Sequence, residues 1–146
     1  LPVDGYYDMG RGPLLSREEQ ETGYPLSQCM TCGCCVDACP QYQKIDVPRR
    51  EGESDQEYLA RRDAEFDRNF IGAFAISQVV LFNTHPTGRH TSLERLEALI
   101  AEGGIQNCGN AQNCVAVCPK EIPLTTSIGQ AGRAATIHSL KRWFDR

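Results

Sequence analysis

The chain has 146 residues and a formal net charge of −4, enough length for one domain with a modest core and the wrong sign for a protein that works mainly on nucleic acid. No apolar run approaches the roughly 20 residues that a membrane-crossing helix needs, and no basic-then-apolar export leader is visible. The chain opens on Leu1-Pro2-Val3 rather than Met, which reads as a processed product or a piece of a longer subunit.

In chain order the pattern predicts an all-α fold. Residues 1–28 read as an N-terminal segment: an extended stretch with Tyr6, Gly10, Gly12 and Pro13, then a short helix. Ser16 and Glu19 have capping-box spacing, and Gly23 and Pro25 are expected to end that helix. Residues 29–146 read as the main domain. Within it, residues 43–53 are a charged linker, and Ser54 with Glu57 starts a second capped helix running to about Asn69. On that helix Glu57–Arg61 and Arg61–Glu65 have the i,i+4 spacing of ion pairs, and a solvated face is the plainer reading of its charge. Phe70 to Phe82 is almost wholly apolar and too short to span a bilayer, which predicts a buried core helix. Asn83 to Gly88 is a turn that includes His85. Thr91 and Glu94 are expected to cap the next helix, with Leu93, Leu96, Leu99 and Ile100 on one face and Gly103-Gly104 as its stop. A last helix begins near Thr125 or Thr126 and runs to Trp143-Phe144. No segment shows the alternation of a strand.

The eight cysteines admit disulfides, zinc or iron–sulfur clusters. Disulfides suit a secreted scaffold, and adjacent Cys34 and Cys35 strain an all-paired framework. Zinc knuckles are usually paired CxxC units. The spacing here is different: Cys29, Cys32, Cys35 and Cys39, followed by Pro40, reproduce the C-x2-C-x2-C-x3-C-P run of bacterial ferredoxins. The same grid shifted by 79 falls on positions 108, 111, 114 and 118 with Pro119, and only Ala111 breaks it. Soft thiolates suit cluster iron, a CxxCxxC turn wraps one face of a cubane, and the fourth cysteine of such a run serves the other cluster.

Applied here, that rule assigns Cys29, Cys32, Cys35 and Cys118 to a [4Fe–4S] cluster. Cys39, Cys108 and Cys114 make a three-thiol site, with the Ala111 methyl where a ligand should stand. A [3Fe–4S] cluster follows; a four-iron cluster with a non-cysteine ligand or an open iron is the alternative. Gly33 and Gly109 are expected to let backbone approach the clusters. Cys34 is left over, and its plain reading is a small buried side chain.

The strings CMTCGCCVDACP, NTHPTGRHTSLERL and CGNAQNCVAVCPKEIPLTTSI resemble the iron–sulfur subunit of succinate:quinone oxidoreductase (complex II) and its fumarate reductase relatives, most of all the menaquinone-linked subfamily. The resemblance covers roughly residues 4–47 and 70–146, and the charged stretch 48–69 looks like an insertion. It implies an alpha-helical ferredoxin-like domain that passes electrons between a flavoprotein subunit and a membrane quinone beside the [3Fe–4S] cluster. It implies also a [2Fe–2S] cluster in a preceding domain whose cysteines this chain lacks, FAD in the flavoprotein, and haem where a cytochrome b anchor carries it. The location implied is peripheral, on the cytoplasmic face of the cell or inner membrane. Pro40 and Tyr42 match part of the quinone wall by position. Ubiquinone-linked relatives carry a tryptophan near positions 43–44 and a histidine at 109; here stand Gln43, Lys44 and Gly109, which points to menaquinone. Lys44, Arg133 and His138 are candidates for charge near the quinone, against the plainer reading of solvated side chains. His85 reads as a turn residue, and Trp143 and Phe144 as core or as a docking edge. The same two-cluster plan also serves other respiratory dehydrogenases and heterodisulfide reductase-type complexes.

Overall fold

The computed structural model describes residues 14–145 and is helical, with no strand among the described residues. Its helices are α1 (Arg17–Ser27), α2 (Cys34–Asp37), α3 (Asp55–Arg68), α4 (Gly72–Thr84), α5 (Ser92–Ile100), α6 (Asn113–Ala116) and α7 (Leu124–Phe144). The expectation for residues 1–13 lies outside the described residues.

The apolar stretch after Phe70 forms α4, the axle of the fold. Ala73, Ile76, Ser77 and Val80 are buried on it, packed between α1, α2, α5 and α7. The facing side of α7 contributes Leu124, Ser127, Ala131 and Ala135. These small residues recur every three or four positions, which brings two helix backbones close. Ile76 and Leu99 are fully buried, each worth about 1.5–3 kcal/mol relative to exposure. The Ser77 hydroxyl is buried with no hydrogen-bond partner.

Both predicted capping boxes form. Ser16 accepts from the Glu19 N–H while the Glu19 carboxylate accepts from the Ser16 N–H, and Ser54 and Glu57 repeat the exchange. Four local expectations need correction. Helix α1 continues through Gly23 and Pro25 to Ser27, because Leu26 is buried in the core and Gly23 packs on Leu81 of α4. Thr91 does not cap α5; a 3₁₀ turn over Gly88–Thr91 precedes that helix, and the Thr91 hydroxyl donates to the Gly88 carbonyl instead. Leu93 leaves the predicted apolar face and is exposed, whereas Leu99 is buried. Arg61 pairs with neither Glu57 nor Glu65. It reaches back to Glu53 at 2.8 Å and to the Pro48 carbonyl at 2.9 Å.

No residue of α3 is buried. The two ends of its excursion meet at Asn69, whose side chain donates to the Gln43 carbonyl at 2.7 Å and accepts from the Gln43 N–H at 3.1 Å. Gly103 makes this junction possible: it has φ +77, and a Cβ there would stand 2.3 Å from the Asn69 carbonyl oxygen. Between α5 and α7, Glu97 receives His138 at 2.7 Å and Arg142 at 2.6 Å.

Candidate metal centres

The two cysteine groups fold into the same loop. Thr31 and Asn110, 79 residues apart, both have left-handed backbones (φ 51 and 53), as do Gly33 (φ 82) and Gln112 (φ 61). Each loop then enters a single helical turn, α2 or α6. The hydrogen bonds match as well. Val36 donates to the Gly33 carbonyl and Val115 to Gln112; Cys39 donates to Val36 and Cys118 to Val115; Tyr42 donates to Cys39 and Glu121 to Cys118. Alternating right- and left-handed residues point successive N–H groups into a concavity, the arrangement that receives anions and iron–sulfur clusters.

Each loop borrows its last thiol from the other. A thiol-lined space is bounded by Cys29, Cys32, Cys34 and Cys35 of the first loop and by Cys118 of the second. Its apolar wall is Phe74, Ile122 and Leu124. A second space is bounded by Cys39 from the first loop and Cys108 and Cys114 from the second, with Ala111 also lining it. The Asn113 side chain ties the loops together by donating to the Ala38 carbonyl at 3.0 Å. Among the described residues no three Cys, His, Asp or Glu side chains close on a point as they would for a single ion; the thiols stand apart around the two spaces. Several soft sulfur donors around each space, an apolar wall and backbone N–H donors to the Cys32, Cys35 and Cys114 sulfurs fit cubane-type clusters.

The electrostatics of the thiols follow their positions. The Cys34 N–H donates to the Cys32 sulfur and lowers that thiol below its ordinary value. Burial raises Cys35 and Cys114, opposed by backbone N–H donors from Phe74 and Val115 respectively. These donors are the kind that support sulfur as thiolate.

Cys34 corrects an expectation. It is exposed and its neighbour Cys35 is buried, since α2 begins at Cys34 directly after the left-handed Gly33 and one step round a helix turns a side chain by about 100°. Glycine at 33 avoids the strain a side chain would meet at φ +82, with no atom crowding the place of its missing Cβ. At Gly109 the space is taken by the Gln41 side chain.

The residues singled out for a quinone stand in different places. Pro40 lines the second thiol space. Tyr42 lines a separate groove with Asp37, Phe66, Asn69 and Phe74. Lys44 is on an exposed loop, Arg133 is exposed on α7, and His138 is engaged with Glu97. The His85 ring accepts from the Thr87 N–H within its turn.

The sequence reading missed Gln41, Asn113 and the left-handed Asn110 and Gln112. Extended beyond the cysteines, the 79-residue offset pairs Asn110 with Thr31, Gln112 with Gly33 and Gln41 with Lys120; it carries no signal for Asn113.

Residues 25–122 match the family model described as a 4Fe-4S dicluster domain. The chain belongs to that family. This dicluster domain is 42% identical over 144 residues to the succinate dehydrogenase iron-sulfur subunit of Bacillus subtilis, covering 99% of this chain and 48% of that protein. The fumarate reductase iron-sulfur subunit of Wolinella succinogenes is 27% identical over 119 residues, 82% of this chain and 41% of its own. That of Escherichia coli O157:H7 is 26% identical over 107 residues, 73% of this chain and 34% of its own. The chain thus spans half or less of the length of these relatives.

Proposed function

We propose that this dicluster domain is the electron wire of a succinate dehydrogenase or fumarate reductase iron–sulfur subunit, with Cys29, Cys32, Cys35 and Cys118 holding a [4Fe–4S] cluster and Cys39, Cys108 and Cys114 a [3Fe–4S] cluster. One observation carries the reading: the final thiol of each loop lines the space of the other, as in two-cluster ferredoxins. When bound, the clusters supply one-electron transfer.

The chain's own part is to hold sulfur and shape its surroundings. The seven cysteines act as ligands, and Phe74, Ile122 and Leu124 keep water from one side of the first site. The amides of Cys34, Phe74 and Val115 stabilise thiolate charge. Ala111 offers no donor, which leaves the second site a ligand short and less negative, so its potential lies above that of the first. The whole protein then pairs with a FAD-bearing flavoprotein through a [2Fe–2S] domain. It pairs also with a cytochrome b anchor and menaquinone at the cytoplasmic face of the membrane, with Pro40 at the quinone end. The stretch 48–69 is read as an insertion carrying α3. No helix of the described residues is long and apolar enough to cross a membrane, in keeping with a peripheral place. The similarity to subunits named for both succinate dehydrogenase and fumarate reductase supports this reading.

Iron, sulfide and EPR analysis of anaerobically purified protein is the test. Roughly seven irons per chain and a three-iron signal in the oxidised state are expected. Zinc in place of iron, or roughly eight irons with no oxidised-state signal, would sink the assignment.

A further inference from the structure

The repeat places two residue pairs in equivalent positions. In each pair, one residue follows the first cysteine of a loop and the other follows the proline of the opposite loop. At the first space these are Met30 and Lys120, which both line it. At the second they are Gly109 and Gln41, which both line that one. The equivalence follows from the 79-residue offset (30 and 109, 41 and 120).

The second pair is in close contact. A Cβ on Gly109 would stand 2.7 Å from Gln41 Nε2, 3.3 Å from its Cδ and 3.5 Å from its Cγ. Gln41 therefore lies flat on the Gly109 backbone, across the loops that carry Cys39 and Cys108. Any side chain at 109 displaces it. Gln41 is exposed, and no hydrogen bond from the described residues holds its carboxamide, whereas the backbone N–H of Gln43, two residues on, is held by Asn69. Sulfide and thiolate only accept hydrogen bonds, so the NH2 of the carboxamide is the end that serves them. Donors to cluster sulfur raise reduction potential by stabilising the added electron.

We propose that Gln41, admitted by the missing side chain of Gly109, is a hydrogen-bond donor to the second cluster and helps set its reduction potential. Lys120 holds the matching place at the first site. This rests on the two-cluster reading above, and the step it tunes is one electron in or out, with no atom transferred.

The test is an EPR-monitored redox titration of the full-length, cluster-loaded protein carrying Gln41→Leu, Gln41→Lys or Gly109→Ala. Gln41→Leu is expected to lower the midpoint of the second cluster and alter its oxidised line shape, and Gln41→Lys to raise that midpoint. Gly109→Ala should reproduce the leucine effect with Gln41 still present, since only a flexible side-chain end has to move. The first cluster's midpoint serves as internal control and stays put. A second-cluster midpoint and line shape unmoved by all three variants overturn the role of Gln41. A wild-type protein with no three-iron signal overturns the two-cluster reading itself, so the two failures are separable.

Discussion

The two cysteine loops share one backbone and differ in three side chains that matter. Position 32 of the first loop is a thiol where 111 of the second is a methyl. Position 33 is glycine where 112 is glutamine, though both are left-handed. Position 30 is methionine where 109 is glycine. The backbone repeat sets where thiols can stand, and single side chains then set how many thiols each loop offers and what surrounds them.

Removing the thiol that crosses over has the largest expected effect. In the proposed assignment, Cys118→Ala takes a ligand from the first site while leaving its own loop's other cysteines in place. Iron content should fall by roughly the four irons of one cluster, with the three-iron signal retained. Loss of the three-iron signal alone would show that Cys118 serves its own loop. Next comes Ala111→Cys, which makes the second loop match the first. It should abolish the oxidised-state three-iron signal, add one iron, and lower the potential of that site.

The left-handed pair gives smaller effects of opposite sign. Gly33→Ala forces a Cβ into φ +82 and should destabilise the loop by about 1–2 kcal/mol. Gln112→Gly relieves the same strain in the other loop and should stabilise it by about 0.5–1 kcal/mol, after the entropy cost of glycine. Thermal denaturation of the cluster-loaded variants reads both; equal signs would break the equivalence.

The smallest effect lies outside the loops, in the α3 excursion. The Arg61 guanidinium lowers the Glu53 carboxyl from its ordinary 4.5 to about 2. A carboxyl lowered on folding stabilises fully above pH 4.5 and loses that contribution as pH falls toward about 2. The Glu53 carboxyl resonance should titrate near 2 and move up toward 4.5 in Arg61→Met. An unchanged midpoint would mean that the pair contributes nothing to the excursion.

By itself the sequence determined the helical class, both capping boxes, the buried run that became α4, and the grid of thiols with its gap at Ala111. These depend on contacts within a few residues or on a repeat visible in one dimension, and neither needs a partner from elsewhere in the chain. Tertiary structure alone decided the rest. Leu26 and Gly23 had the α4 surface to pack on, so helix α1 ran past Pro25. Arg61 chose Glu53 over two carboxylates at ideal helical spacing because the chain returned on itself at Asn69. Cys34 stayed exposed and Cys35 became buried because α2 starts directly after the left-handed Gly33. Pro40 and Tyr42, two residues apart, went to different cavities, and Gln41 settled on Gly109. In each case several partners were chemically acceptable, and only packing in three dimensions put one of them within reach.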